Sequence, residues 1–90
     1  MGFHQTFKAL SDPTRRAILE RLKNGRLTAG EIASAFDLSA ATVSHHLAML
    51  RQAELVIAQR EGKHIYYEIN TSVIDEILTW VTSLREGDKT

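Results

Sequence analysis

The sequence predicts a mainly α-helical fold with one small β-hairpin, in the order α-α-α-α-β-β-α. Three observations predict it. Apolar residues recur at helical spacing in five separate stretches. Alternating β-prone residues occupy one stretch only, around residues 55–69. Helix caps or glycine turns separate these stretches. Ninety residues, 43% of them hydrophobic, favour a single domain over residues 1–90 with one modest core.

The first two helices meet at a Ser-Asp-Pro junction. Phe3 and Phe7 have the spacing of a short first helix. Asp12 is a suitable N-cap for the second helix, and Pro13 suits its first position, where the missing N–H costs nothing. Asn24 and the glycine after it are a typical helix stop. We therefore expect two short helices before residue 26.

Three arginines, Arg15, Arg16 and Arg21, crowd the polar side of the second helix. They are open to two interpretations. They form an ordinary solvated face, or they contact phosphate and pair with Asp12 and Glu20.

Residues 28–51 have the pattern of two short helices joined by a tight turn. Thr28 is a good N-cap, and Glu31 three residues later completes a capping box. Asp37 stands where the turn needs a residue that tolerates the left-handed conformation. Ser39 is a second N-cap. This spacing predicts a helix-turn-helix, in which the two helices cross steeply.

A helical wheel at about 100° per residue divides the second of these helices into two faces. Val43 and Leu47 point inward, and His46 lies close to them, whereas His45 points outward. We therefore expect His46 to pack at the helix crossing and His45 to enter a DNA groove. The residues predicted to contact DNA from this helix are small or hydrogen-bonding, with one cation: Ser39, Ala41, Thr42, Ser44, His45 and Arg51.

Residues 55–69 predict a two-stranded hairpin around Glu61-Gly62. Its tip carries Arg60, Lys63 and His64. A basic hairpin directly after a recognition helix is typical of a wing that contacts the DNA backbone or minor groove. The alternative is an ordinary polar hairpin tip.

The last helix, predicted over residues 72–85, has an apolar face about 160° wide. One part of this face can pack on the body, and the rest needs a partner, most simply the same helix of a second copy. The alternative is a helix packed entirely within its own subunit. The predicted dimer-interface residues of this helix are Ile77, Trp80, Val81 and Leu84.

The composition bounds the function. The absence of cysteine excludes a disulfide framework and thiolate metal sites, and it fits a cytoplasmic location. No signal peptide or membrane span is expected. The formal net charge of zero predicts modest non-specific DNA affinity. The charge is nevertheless uneven: residues 1–26 hold six basic and two acidic residues, and residues 68–90 hold two basic and five acidic ones.

The stretches SDPTRRAILERL, LTAGEIASAFDLSAATVSHHLAMLRQAELV and GKHIYYEIN resemble the ArsR-type winged helix-turn-helix repressors, nearest the autorepressors of the sporulation-delaying-protein type. The resemblance implies a bacterial homodimer, bound to a palindromic operator that overlaps its own promoter. It also implies that the first helix joins the last one in the dimer interface, which adds Phe3 and Phe7 to the predicted interface residues. Many members of the family also sense metals. Here Thr28 and Gly30 replace the cysteines of one such site, and the last helix offers Asp75 and Glu76 but no histidine. No metal or other cofactor is therefore expected.

Three alternatives to a DNA-binding repressor differ in the residues that they require. An enzyme is disfavoured because Ser44 and His45 diverge around their helix and no oriented acid is evident. A metal-responsive repressor with a non-cysteine site stays open, built from His4 and Asp75 or Glu76 across a dimer. A winged helix that only binds protein also stays open, although a face of small polar residues lacks the large apolar anchors of protein interfaces.

Overall fold

The computed structural model describes residues 3–86, which form five helices and three short strands. In chain order these are α1 (His4–Leu10), α2 (Pro13–Leu22), β1 (Leu27–Thr28), α3 (Ala29–Phe36), α4 (Ala40–Gln52), β2 (Val56–Glu61), β3 (His64–Ile69) and α5 (Thr71–Glu86). All five predicted helices and both hairpin strands are present. The winged helix-turn-helix prediction is confirmed.

The sheet has one strand more than the sequence predicted. β1 pairs antiparallel with β3, so that the sheet order is β1-β3-β2, with Leu27 opposite Tyr67 and Thr28 opposite Tyr66. The predicted hairpin of β2 and β3 is confirmed, and β1 is a third strand that was not predicted from the sequence. Two residues are too few to show the alternation that reveals a strand. In addition, Thr28 is the N-cap of α3, and its extended backbone (φ −80°, ψ 162°) allows the same residue to pair in the sheet.

Helix α4 lies at the centre of the hydrophobic core. It packs against α1, α2, α3 and β2. Its buried residues are Val43, Leu47 and Leu50, none more than 1% exposed, and they meet Ile18 of α2 and Ile32 of α3. Removing each such side chain from water stabilises the fold by about 1.5–3 kcal/mol. The inner face of α4 is therefore fixed, and its opposite face is left at the surface.

Local backbone chemistry sets the turn between α3 and α4. Thr28 and Glu31 form both hydrogen bonds of the capping box. Asp37 has left-handed dihedrals (φ 54°, ψ 46°), and the Ser39 side chain caps α4 by accepting from the Thr42 N–H. The predicted roles of these residues are confirmed.

Arg15 corrects the interpretation of the three arginines. Its residue surface is only 8% exposed, so it is neither part of a solvated face nor available to phosphate. Its Nε donates to the Ala9 carbonyl (2.8 Å) and its Nη2 to the Lys8 carbonyl (3.2 Å). The last carbonyls of a helix lack partners in the regular pattern of their own helix, and here the next helix supplies a charged donor to two of them. The Lys8 carbonyl also accepts from the Ser11 hydroxyl at 2.6 Å. Arg16 and Arg21 are exposed on the polar side of α2, which is compatible with both interpretations.

Asp12 caps α2 as predicted. Its carboxylate accepts from the Arg15 backbone N–H at 3.0 Å. That hydrogen bond is the main reason why the pKa of Asp12 lies below its ordinary value of 3.8.

Helix α5 projects from the body, which helps to make the molecule about 52 Å long but only 25 Å and 21 Å across. It begins one residue before the predicted 72–85 and ends one residue after. Val73 is its one buried residue, and Ile77 is partly buried against the core. Among residues 3–86, no helix has both the length and the apolar character that crossing a membrane requires.

Candidate nucleic-acid interface

Helix α4 and its N-cap residue present at the surface all six side chains that the sequence singled out there: Ser39, Ala41, Thr42, Ser44, His45 and Arg51. The Ser39 hydroxyl also donates to Thr42 Oγ1 at 2.9 Å while its oxygen accepts the Thr42 N–H at 3.1 Å. This pair is therefore pre-ordered, and the Thr42 hydroxyl keeps its own hydrogen for an outside acceptor.

The two adjacent histidines lie in different environments, as the helical wheel predicts. His45 is exposed, whereas the His46 side chain is 13% exposed at the helix crossing. Its Nδ1 lies 3.3 Å from Nη1 of Arg15 and 3.9 Å from the Asp12 carboxylate. Because a guanidinium only donates, Nδ1 of the neutral ring is the acceptor in this contact and Nε2 carries the hydrogen. His46 thus ties α4 to α2.

The hairpin tip is a two-residue turn of Gly62 and Lys63 between β2 and β3. Gly62 has φ +61°. The first central position of a type II′ turn requires a positive φ, and glycine adopts it without strain. The predicted wing residues Arg60, Lys63 and His64 are all exposed around this turn. The structure therefore brings the three basic or imidazole side chains together at one end of the hairpin.

A second charged group at the hairpin, formed by Arg26 and Glu61, was not predicted from the sequence. Two guanidinium nitrogens of Arg26 donate to the two carboxylate oxygens of Glu61, at 2.6 Å and 2.8 Å. The guanidinium carbon also lies 4.3 Å from the centre of the Tyr66 ring. These hydrogen bonds lower the pKa of Glu61 below its ordinary value of 4.5 and raise that of Arg26. Because the pair is 35 residues apart, no local spacing reveals it.

The predicted dimer interface coincides with an exposed apolar patch on α1 and α5. The Trp80 ring lies 5.5 Å from that of Phe3 and 5.8 Å from that of Phe7, so the structure brings these three together. Phe7 is 44% exposed, because Thr6 and Ala9 are the buried residues of α1. The patch continues along α5 with Leu78, Val81 and Leu84, all exposed.

Two details of this patch differ from the sequence prediction. Ile77 is partly buried against the core of its own subunit, so it contributes less to the surface than predicted. Leu78, which the predicted interface left out, is 61% exposed. Exposed apolar patches of this kind are typical of interaction sites.

Within residues 3–86, no three histidine, aspartate or glutamate side chains come together in the way a metal site requires. The metal alternative involved residues of two subunits, His4 and Asp75 or Glu76. All three are exposed.

Comparison with known proteins places this geometry in a family. A helix-turn-helix domain model matches residues 10–58. The chain is 46% identical to the transcriptional repressor SdpR of Bacillus subtilis over 86 residues, which cover 94% of this chain and 96% of the relative.

Solved structures agree. A crystal structure of an ArsR family transcriptional regulator superposes with a TM-score of 0.83 at 29% identity, covering 91% of this chain and 90% of that one. A domain of Mycobacterium bovis, described as a homodimeric winged helix-turn-helix DNA-binding domain, has a TM-score of 0.75 at 29% identity, covering 96% and 80%. The chain belongs to the ArsR family of winged helix-turn-helix transcriptional regulators.

Proposed function

We propose that this protein is a sequence-specific DNA-binding repressor that acts as a homodimer on a palindromic operator. The observation that carries the proposal is the outward face of α4. It is small, polar and exposed on a helix whose opposite face is locked in the core, in a chain 46% identical to a transcriptional repressor.

The α4 helix fits the major groove, which is about 12 Å wide and presents a different hydrogen-bonding pattern for each base pair. In this proposal Thr42, Ser44 and His45 hydrogen-bond to base edges, and Ala41 contacts a thymine methyl group. The first N–H groups of α4, beside the Ser39 cap, have no carbonyl of their own helix within reach and are suited to a phosphate. Arg51, in the last turn, adds a positive charge.

The hairpin supplies the wing. Arg60, Lys63 and His64 lie at its exposed tip, where they are suited to contact the phosphate backbone or the minor groove. Such contacts position the protein on the duplex without reading sequence. Because the chain has no net charge, we expect few phosphate contacts and a shallow dependence of affinity on salt.

A second copy completes the DNA-binding unit. The apolar patch around Trp80 and Leu84 joins two subunits about a two-fold axis. The two α4 helices then enter successive major grooves about 10 bp apart, and the operator has matching symmetry. If the operator overlaps the protein's own promoter, the bound dimer blocks RNA polymerase there, and the protein is an autorepressor. It acts on the bacterial chromosome in the cytoplasm.

Catalysis has no part in this proposal. Ser44 and His45 are neighbours on α4, so their side chains diverge by about 100° and do not form a nucleophile-base pair. A metal-responsive repressor and a protein-binding module are the alternatives that the experiments below separate from this function.

The direct test measures, by fluorescence anisotropy at low salt, the binding of the purified protein to a labelled duplex. The duplex is taken from immediately upstream of the protein's own coding sequence. We expect two chains per duplex and about a hundredfold weaker affinity for a Ser44→Ala, His45→Ala double variant, since each of the two lost base contacts is worth about 1–3 kcal/mol. The control is Thr79→Ala, an exposed polar residue of α5, which should bind as the native chain does.

Two results would contradict the proposal. One is the absence of any complex at low salt, which would leave a protein-binding module. The other is full affinity of the α4 double variant, which would place the DNA contacts elsewhere. Affinity that appears or disappears on adding zinc would instead support the metal-responsive alternative.

A further inference from the structure

A single side chain, that of Arg26, connects all three strands of the sheet. Arg26 directly precedes β1, at one edge of the sheet. Its guanidinium lies over Tyr66 of the central strand β3 and reaches Glu61, the last residue of β2 at the other edge. The planar guanidinium can do this because it donates to both carboxylate oxygens while stacking on a ring.

The Arg26–Glu61 contact is made at the exposed end of the hairpin. Besides the pairing of β2 with β3, this end has two local side-chain contacts: Arg60 Nε donates to the Gly62 carbonyl at 3.4 Å, and the His64 ring lies 6.1 Å from that of Tyr66. Residues 59–65 are all exposed, and the Gly62 turn has open space around it. Glu61 pairs with His64 across the hairpin, and Arg60 and Lys63 lie next to that pair. Holding Glu61 therefore fixes the backbone from which all three wing side chains extend.

The charges support the same role. An unpaired Glu61 carboxylate at the wing tip would repel DNA phosphates, and its ion pair with Arg26 offsets that charge. At the same time, the pairing occupies two of the guanidinium nitrogens with Glu61. Arg26 is thus better placed to organise the wing than to contact DNA itself.

We propose that Arg26 is a positioning residue for DNA binding, which holds the wing in its DNA-contacting geometry through Glu61 and Tyr66 without touching DNA. The part of this inference that concerns DNA rests on the proposed function. The part that concerns the hairpin is measurable in the free protein.

The experiment compares Arg26→Lys, Arg26→Ala and Glu61→Gln with the control Arg21→Lys, which changes an exposed arginine of α2. The first measurement is amide hydrogen exchange of residues 60–65 in the free protein by NMR. Lysine keeps the charge but cannot form the two-pronged contact. We therefore expect exchange about three- to tenfold faster in all three test variants, in line with the strength of exposed ion-pair and cation–π contacts, and no change in the control.

The second measurement is affinity for the labelled upstream duplex. Because both partners act on the same element, Arg26→Lys and Glu61→Gln should each weaken binding about threefold or more. The double variant should be little worse than Arg26→Lys alone, as expected for two residues of one contact.

A direct phosphate contact by Arg26 predicts a different pattern. Arg26→Lys would then bind almost as tightly as the native chain, and Glu61→Gln would bind more tightly because a negative charge is removed. That pattern of affinities would overturn the inference. So would amide hydrogen exchange of residues 60–65 in Arg26→Ala at the same rate as in the native chain. If the native chain failed to bind the duplex, the proposed function would fail, and the exchange rates would still decide whether Arg26 holds the hairpin.

Discussion

Arg15 is expected to contribute more to stability than any other charged residue of α2. We consider replacing it with methionine, which keeps a long apolar stem but donates no hydrogen bond. The change removes the 2.8 Å contact to the buried Ala9 carbonyl, the 3.2 Å contact to the Lys8 carbonyl and the 3.3 Å contact to His46. Together these join α1, α2 and α4.

The expected loss follows from these contacts. Leaving one buried carbonyl without a partner costs about 1–3 kcal/mol, and each of two partly buried contacts adds about 0.5–1.5 kcal/mol. Methionine recovers part of this, because a buried guanidinium itself costs free energy to dehydrate. We therefore expect Arg15→Met to lower the free energy of unfolding by about 3 kcal/mol.

The assay is urea unfolding followed by circular dichroism, with every variant at the same chain concentration, since the stability of a dimer depends on concentration. Arg16 provides a matched control. It is the next residue of the same helix and also donates to an α1 carbonyl, that of Leu10 at 2.7 Å, but it is exposed. Arg16→Met should cost no more than about 0.5–1 kcal/mol.

Equal losses of stability for the two variants would contradict this prediction, because burial would then not be what makes the Arg15 contacts stabilising. A loss below about 0.5 kcal/mol for Arg15→Met would do the same, since it would mean that water replaces the guanidinium at the two α1 carbonyls.

Three further predictions follow from the site. His45→Ala should weaken operator binding about tenfold at native stability, whereas His46→Ala should mainly lower the urea midpoint; the opposite pattern would reverse their roles. Leu84→Lys should raise the dimer dissociation constant at least about tenfold in analytical ultracentrifugation, because it places an ammonium group in an apolar interface. An unchanged dissociation constant would mean that the interface lies elsewhere on the molecule. The carboxyls of Asp12 and Glu61 have pKa values below the ordinary 3.8 and 4.5, so the stability they add is present above those values and is lost as the pH falls through the lower folded-state pKa. In Asp12→Asn and Glu61→Gln, the free energy of unfolding should therefore fall less steeply as the pH is lowered. The same pH dependence as in the native chain would refute this.

Features that depend on a few consecutive residues were predictable from the sequence. The capping box of Thr28 and Glu31, the left-handed Asp37 and the Ser39 cap are each decided within one helical turn. Amphipathic spacing also separated His45 from His46 correctly, because a rigid helix converts sequence position directly into direction. The exposed face of α4 could be predicted from the sequence for the same reason.

Features that depend on distant parts of the chain were not predictable. β1 becomes a strand only because β3 is beside it. Arginine is usually a surface residue. Arg15 is buried because the C-terminal end of α1 packs beside it on α2. Arg26 and Glu61 meet only once the sheet has formed. In each case the deciding partner is supplied by the tertiary structure, which no local pattern encodes.

In the proposed function, two copies of this chain read a symmetric duplex with their α4 helices. This is tested most directly by selecting bound duplexes from a random pool with the purified protein, sequencing them and determining the stoichiometry of the best binder. We predict an inverted repeat whose half-sites are centred about 10 bp apart and which is bound by two chains. A pool without enrichment, or a single unrepeated half-site bound by one chain, would contradict it.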